Sequence, residues 1–237
     1  MTRRRWIADE ASGNCAALTG EHAHHLVRVL RARVGQEFDI ATGSGVRRGR
    51  ITAIKDERVE FELGEEVSAT PQANVTLLLA VFKFDRMEWA IEKCTELGVS
   101  RIVPVIARRT DAHLASASAK RAERWRRIAL EASEQSRRTA PPEIAAPGTL
   151  KDATGLPGDL RIVLTETERE VQLRDVLASH PHAAEILLAV GPEGGWTDDE
   201  VQLFQKAGLV SASLSATFLR AETAAIAATA IIISALI

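Results

Sequence analysis

Two short stretches carry residues whose types and spacing could do chemistry. In the first, Leu187-Leu188-Ala189-Val190 runs into Gly191-Pro192-Glu193-Gly194-Gly195, and Thr197 and Glu200 follow at capping-box spacing. Open α/β sheets collect ligands beyond the carboxyl ends of their strands, where glycine lets backbone approach the ligand closely. Neither a G-x-x-x-x-G-K-[ST] nor a G-x-G-x-x-G phosphate loop is spelled here. Glu193 would repel a phosphate and tolerate a cation such as a sulfonium or an α-ammonium. A plain strand-to-helix turn explains the same spacing. In the second stretch, Phe218-Leu219-Arg220-Ala221-Glu222-Thr223-Ala224, an arginine and a glutamate stand between apolar flanks. Such charges are costly to bury unpaired, so they call for a ligand or for a structural ion pair at a helix start.

The elements that must hold these stretches change character along the chain. Up to about residue 68, short strands are expected over 37–41, 49–54 and 58–63, with Thr42-Gly43-Ser44-Gly45 as a turn and a short helix over 21–30 before a reversal at Gly35. This pattern predicts a small β-barrel or meander. Beyond Pro71, apolar runs over 75–82, 102–106, 162–164 and 185–190 read as strands. Met87, Ala90, Ile91, Cys94 and Leu97 recur at helical spacing, with Asp85 and Glu88 as an expected capping box and Gly98 as a stop. Trp125, Ile128, Ala129 and Ala132 mark a further helix, and Gly208 ends the one capped at Thr197. Alternating strands and helices predict a parallel sheet covered on both faces. Residues 140–158, rich in Pro and Gly, read as a connecting loop.

Composition bounds the rest. With 237 residues, 46% of them hydrophobic, the chain can bury one large core or two modest ones. Cys15 and Cys94 are far apart and in no C-x-x-C pair, which argues against a disulfide framework or a zinc site and suits a reducing cytoplasm. The apolar run 223–237 is short for a bilayer and predicts a buried helix, not a membrane span. The formal net charge is only −2. Positive charge is clustered, however: nine Arg against five acids over residues 1–50, and ten Lys or Arg against four acids over 101–138. Arg3, Arg4 and Arg5, then Arg28, Arg31 and Arg33, then Arg47, Arg48 and Arg50 make up the first cluster. Clusters of this kind bind phosphates by releasing counterions, although a solvated helix face has the same composition.

Six stretches together resemble the bacterial 16S ribosomal RNA uridine-N3 methyltransferase family of the SPOUT superfamily. They are His25-Leu-Val-Arg-Val-Leu-Arg31; Lys83 with Asp85-Arg86-Met87-Glu88; Glu92-Lys-Cys-Thr-Glu-Leu-Gly-Val99; Glu131-Ala-Ser-Glu-Gln-Ser136 with Arg138; Gly191 to Gly195; and Leu219-Arg-Ala-Glu-Thr-Ala224. The resemblance covers essentially the whole chain. It implies a PUA-like β-barrel RNA-binding domain over residues 1–68 and a SPOUT methyltransferase domain over 72–237. That second domain would have an α/β parallel sheet and a C-terminal trefoil knot, a topology that general rules would not produce. It also implies a homodimer without membrane association.

By the same resemblance the cofactor is S-adenosyl-L-methionine, held by Leu164 and Thr165, by Gly191, Glu193 and Gly195, and by Leu214, Leu219 and Thr223. No metal is implied. The family usually has a glycine where this chain has Ser215 and a basic residue in place of Thr217, so strain is expected at Ser215. Methyl transfer to a uracil nitrogen needs alignment of two reactants and stabilisation of the N3 anion. Arg220 is the expected catalytic cation, with Glu222 either as its orienting partner or as an anchor of the last helix. The target base has to be unpaired or splayed. Arg5, Arg28 and Arg31 are expected to grip 16S ribosomal RNA in the small ribosomal subunit, with Arg108 and Arg138 extending the grip and Gln135 reaching the base. Two rival readings are a non-catalytic ribosome-assembly factor with the same fold and another α/β enzyme that uses a nucleotide cofactor.

Overall fold

A computed structural model describes residues 5–43, 45–67 and 73–236. Arg3, Arg4, Ser44 of the expected turn, Pro71 and Ile237 lie outside the described residues. The chain divides into two compact units, one of Met1–Pro71 with Ser133–Ala140, the other of Gln72–Ala132 with Pro141–Ile237.

The first unit contains β1 (Arg5–Ile7), β2 (Glu10–Ser12), β3 (Cys15–Thr19), α1 (Gly20–His24), β4 (Glu37–Ala41), β5 (Val46–Lys55) and β6 (Arg58–Val67). Its sheet order is β1-β4-β5-β6-β3-β2, antiparallel except where β1 meets β4. Trp6, Leu18, Leu26, Ile40, Ile51, Val59 and Phe61 fill its core. At Gly49 a Cβ would overlap the Ile40 side chain, so only glycine admits this approach between neighbouring strands. The helix expected over 21–30 changes type midway: α1 passes into a π-helical turn, His25–Val29. Arg31 follows it in left-handed backbone, φ 54°.

The second unit starts with β7 (Asn74–Ala80), α2 (Phe84–Leu97), β8 (Arg101–Ile106), α3 (Ala112–Gln135), β9 (Glu143–Ile144), β10 (Gly148–Thr149) and α4 (Leu150–Ala153). It continues with β11 (Leu160–Leu164), α5 (Leu173–Ser179), β12 (Glu185–Val190), α6 (Asp198–Lys206), β13 (Val210–Ala212) and α7 (Ala221–Leu236). The last turn of α3, from Ser133, groups with the first unit. The strands form one parallel sheet in the order β10-β8-β7-β12-β11-β13, with β9 beside β8. Both faces are covered, which is why β7 and β12 are almost continuously apolar. Leu77 and Leu79 point into a core with Met87, Ile91, Trp125, Ala225 and Ile232. Leu78 and Ala80 point the other way, toward Leu150, Trp196 and Phe204.

Two local expectations need correction. The capping box at Asp85 and Glu88 does not form, because α2 starts at Phe84 with Lys83 as its uncapped N-cap residue. Glu88 turns instead to Arg124 at 2.7 Å and Arg121 at 3.5 Å. The stretch 140–158 is not a bare loop: it contains β9, β10 and α4, which at two to four residues each are too short to show a period. The capping box at Thr197 and Glu200 is present in full, and Gly98 takes φ 112° at the end of α2 as a helix stop requires.

Candidate active site

The three strands β12, β11 and β13 lie side by side and parallel, so the loops leaving their carboxyl ends converge. They enclose a cavity of about 860 Å³ within the second unit. Of the residues expected to hold a cofactor, Leu164, Thr165, Gly191, Glu193, Gly195, Leu214 and Leu219 all line it. Thr223 does not. The helical repeat turns Ala221 and Ala224 toward the cavity and leaves Thr223 exposed to solvent.

A residue unremarked in the sequence organises this wall. Trp196 donates its indole N–H to the Leu164 carbonyl at 3.1 Å, tying the second loop to the first. Its ring lies so close to Gly191 that a Cβ there would meet it at 3.2 Å. Gly195 has φ +69°, a conformation that favours glycine. Arg109 grips the same loop through the Gly194 carbonyl at 2.6 Å and the Trp196 carbonyl at 3.3 Å. The signal in the sequence was a tryptophan directly after two glycines. In the first loop, the Thr165 hydroxyl is buried without a hydrogen-bond partner among the described residues.

The strain expected at Ser215 is absent, since Ser215 is not among the described residues with positive φ. Its hydroxyl instead accepts the Thr217 backbone N–H at 3.1 Å and lies 3.0 Å from the Thr217 hydroxyl. The two departures from the family pattern therefore brace one another, as local serine turns do. Beyond them Phe218 is 79% exposed at the cavity's rim.

The pairing expected between Arg220 and Glu222 is not made. Arg220 is exposed and engages no carboxylate among the described residues, whereas Glu222 is only 3% exposed. Glu222 faces Arg86 on α2, with Oε1 at 3.8 Å from Nε, and Oε2 is buried without a hydrogen-bond partner among the described residues. Arg86 also reaches Glu193 at 2.8 Å. Residues two apart at a helix start point to different sides, which separates Arg220 from Glu222.

The expected RNA-binding residues meet different fates. Arg28, Arg31 and Arg33 are exposed around the π-helical turn and its exit and pair with no carboxylate among the described residues. Exposed Val29 and Val34 stand among them. Arg47, Arg48 and Arg50 are instead engaged within the sheet, by the Gly64 carbonyl, Asp39 and Glu37 respectively. Arg5 donates to the Arg137 carbonyl, so its guanidinium is partly committed. Arg138 is a clear correction: it is 7% exposed and its Nε donates to the Ala140 carbonyl at 3.2 Å. Burial pushes its pKa down to about 10, leaving it charged at neutral pH but turned inward. Gln135 and Arg108 are exposed, and the Arg108 backbone N–H donates to Glu200 at 2.8 Å. Most other cations of the second cluster form ion pairs, such as Arg101 with Glu143 and Arg126 with Glu123. The described residues contain no group of His, Cys, Asp and Glu fit to hold a metal.

Comparison with known proteins agrees with this geometry. Residues 68–233 match the model of an RNA methyltransferase domain, and residues 18–64 match an RNA methyltransferase PUA domain. Ribosomal RNA small subunit methyltransferase E of Synechocystis sp. is 36% identical over 212 residues, 87% of this chain and 69% of that protein. The protein of the same name from Aquifex aeolicus is 31% identical and covers 97% of this chain and 98% of its own. A crystal structure of ribosomal RNA small subunit methyltransferase E from Neisseria gonorrhoeae, bound to S-adenosyl methionine, superposes with a TM-score of 0.85 at 30% identity, covering 98% of each chain. A parallel α/β sheet with a glycine-lined pocket at its carboxyl edge, joined to a PUA domain, thus has close counterparts in both sequence and structure, and the chain belongs to the ribosomal RNA small subunit methyltransferase E family of RNA methyltransferases.

Proposed function

We propose that the chain methylates N3 of a uridine in 16S ribosomal RNA of the small subunit, using S-adenosyl-L-methionine. The observation that carries this reading is the convergence of three loops, distant in sequence, on one cavity whose rim includes exposed Phe218 and lies next to exposed Arg220. The residues present suit the cofactor. Leu164, Val190, Leu214 and Leu219 supply apolar wall for an adenine, and the buried Thr165 hydroxyl lacks a partner that a bound polar group would provide. Glu166, Glu168 and Asp198 add carboxylates suited to an α-ammonium. When bound, the cofactor supplies an electrophilic methyl group on a sulfonium.

The chain's own residues do the rest. Arg220 stabilises the uridine anion formed as N3 loses its proton. Arg28 and Arg31 hold RNA backbone, and Gln135 and Arg108 are available to it. In this reading residues 1–68 serve RNA binding and residues 72–237 serve catalysis. Glu222 acts through Arg86 and not through Arg220. Insertion of β12 between β7 and β11, with α7 packed on α2 after the chain has left the far edge at β13, supports a C-terminal trefoil knot. The apolar α7, with Ile231 39% exposed, supports a homodimer. No helix among the described residues is long and apolar enough to cross a membrane.

The test is incubation of the chain with labelled S-adenosylmethionine and small subunits lacking the modification, followed by nucleoside analysis. Label in 3-methyluridine is the expected result, and well-folded protein that transfers none would overturn the proposal. The strain at Ser215 that would have favoured a non-catalytic assembly factor is not found.

A further inference from the structure

The loop Gly191-Pro192-Glu193-Gly194-Gly195 has three glycines in five residues, so its backbone loses much entropy on being fixed. Something outside the loop has to fix it. Arg109 holds the backbone at Gly194 and Trp196. Glu193 is the loop's only long side chain, and it is held by Arg86 Nη1 at 2.8 Å. Arg86 sits in the first turn of α2, and its Nε faces Glu222 Oε1 at 3.8 Å. Glu222 is 3% exposed, and its second oxygen is buried without a hydrogen-bond partner among the described residues. A carboxylate so placed is tolerable only beside a cation, and Arg86 is the cation paired with it among the described residues. Of the charges nearest Arg86 in sequence, Lys83 and Asp85 are exposed and Glu88 is engaged by Arg124 at 2.7 Å and Arg121 at 3.5 Å.

We propose that Arg86 is a positioning residue for the cofactor loop: it clamps Glu193 from one side while buried Glu222 anchors Arg86 from the other. Glu193 then serves the loop's shape, and its charge is already offset before any cationic ligand arrives. The alternative, direct pairing of Glu193 with a cationic ligand, predicts that Glu193 and Arg86 act independently. This inference rests on the reading of the cavity as an S-adenosylmethionine site.

The experiment uses the full chain as wild type, Arg86→Ala, Arg86→Lys, Glu193→Ala and the Arg86→Ala/Glu193→Ala double variant. Cofactor affinity is measured by calorimetry, and amide hydrogen exchange across residues 191–195 is measured without cofactor. Each alanine variant is expected to weaken S-adenosylmethionine by about tenfold, the double variant by no more than the worse single, as coupled neighbours do. Exchange in the loop rises in both single variants, and Arg86→Lys restores part of the affinity. Arg86→Ala also strands Glu222 and lowers the melting temperature, whereas Glu193→Ala keeps the Arg86–Glu222 pair and separates clamping from folding. Multiplying effects in the double variant, or loop exchange unchanged in Glu193→Ala, would overturn the clamp. A wild-type chain that binds no S-adenosylmethionine overturns the reading of the cavity instead, and the exchange measurement still judges the clamp.

Discussion

At the scale of residues, solvent exposure separates two charges that the sequence sets almost side by side. Arg220 is exposed and uncommitted among the described residues, as a group must be if it is to meet a base arriving from outside. Arg220→Ala is expected to leave cofactor affinity within about twofold while lowering single-turnover methyl transfer about a hundredfold, the usual loss for one charge-stabilising donor. Equal turnover in wild type and variant would remove Arg220 from the chemistry. Gly191→Ala acts from the opposite side: its Cβ would press on Trp196 at 3.2 Å, and the ring is tied to Leu164. Calorimetry should show S-adenosylmethionine binding weakened by about tenfold. The glycine loop and the Arg220 stretch were both readable from spacing and residue type. Arg86 was not, because its partners stand more than a hundred residues away and only the fold brings them together. Arg138 was misread for a related reason: a basic residue in a basic run looks solvated until burial is known.

Among the elements, the π-helical turn His25–Val29 and its exit carry Arg28, Arg31 and Arg33, which are exposed. π-Bulges are uncommon and tend to mark functional positions. Replacing Arg28 and Arg31 with alanine is expected to weaken RNA binding and to reduce the slope of log affinity against log salt by about two, near one for each phosphate no longer neutralised. A slope that does not change would assign both to a plain solvated surface. The short helix over 21–30 was expected but its change of type was not, because that change leaves the residue pattern almost the same. The long strands of the parallel sheet were legible for a simple reason, that strands buried on both faces have to be apolar throughout. Short β13 passed unnoticed, although its loop supplies a third of the cavity wall.

For the whole molecule, charge is the property that sequence totals conceal. A net charge of −2 gives no hint of polyanion binding, and even the two basic clusters overstate it, since most of their members are engaged by carboxylates or carbonyls. One such network makes the first unit sensitive to pH. His22 Nδ1 lies 2.9 Å from Asp9, and its Nε2 lies 3.6 Å from Glu134 in the 133–140 segment of the same unit. The hydrogen bond to Asp9 raises the His22 pKa above 6.5, helped by Glu134 and opposed by burial. Burial alone would raise Asp9, but its hydrogen bonds from His22 and the Thr19 backbone win and take it below 3.8. The stabilisation from His22 is therefore complete below pH 6.5 and fades as pH climbs through its raised value. That from Asp9 is complete above pH 3.8 and fades as pH drops through its lowered value. The pair is at full strength between these limits, and an NMR titration should find the His22 pKa elevated in wild type and clearly lower in Asp9→Asn. An ordinary value in both would dismiss the network.

The division of the chain also dictates an order of manufacture. Every loop of the cavity comes from residue 164 or later except for Arg109, while the first unit needs nothing beyond Ala140. As the polypeptide leaves the ribosome that makes it, the arginine-bearing unit has all its parts when little more than half the chain is synthesised. The cavity has to wait for Ala224. If the first unit holds RNA as proposed, a prematurely terminated product would carry its arginines without the cavity, a competitor for the site that the finished molecule serves.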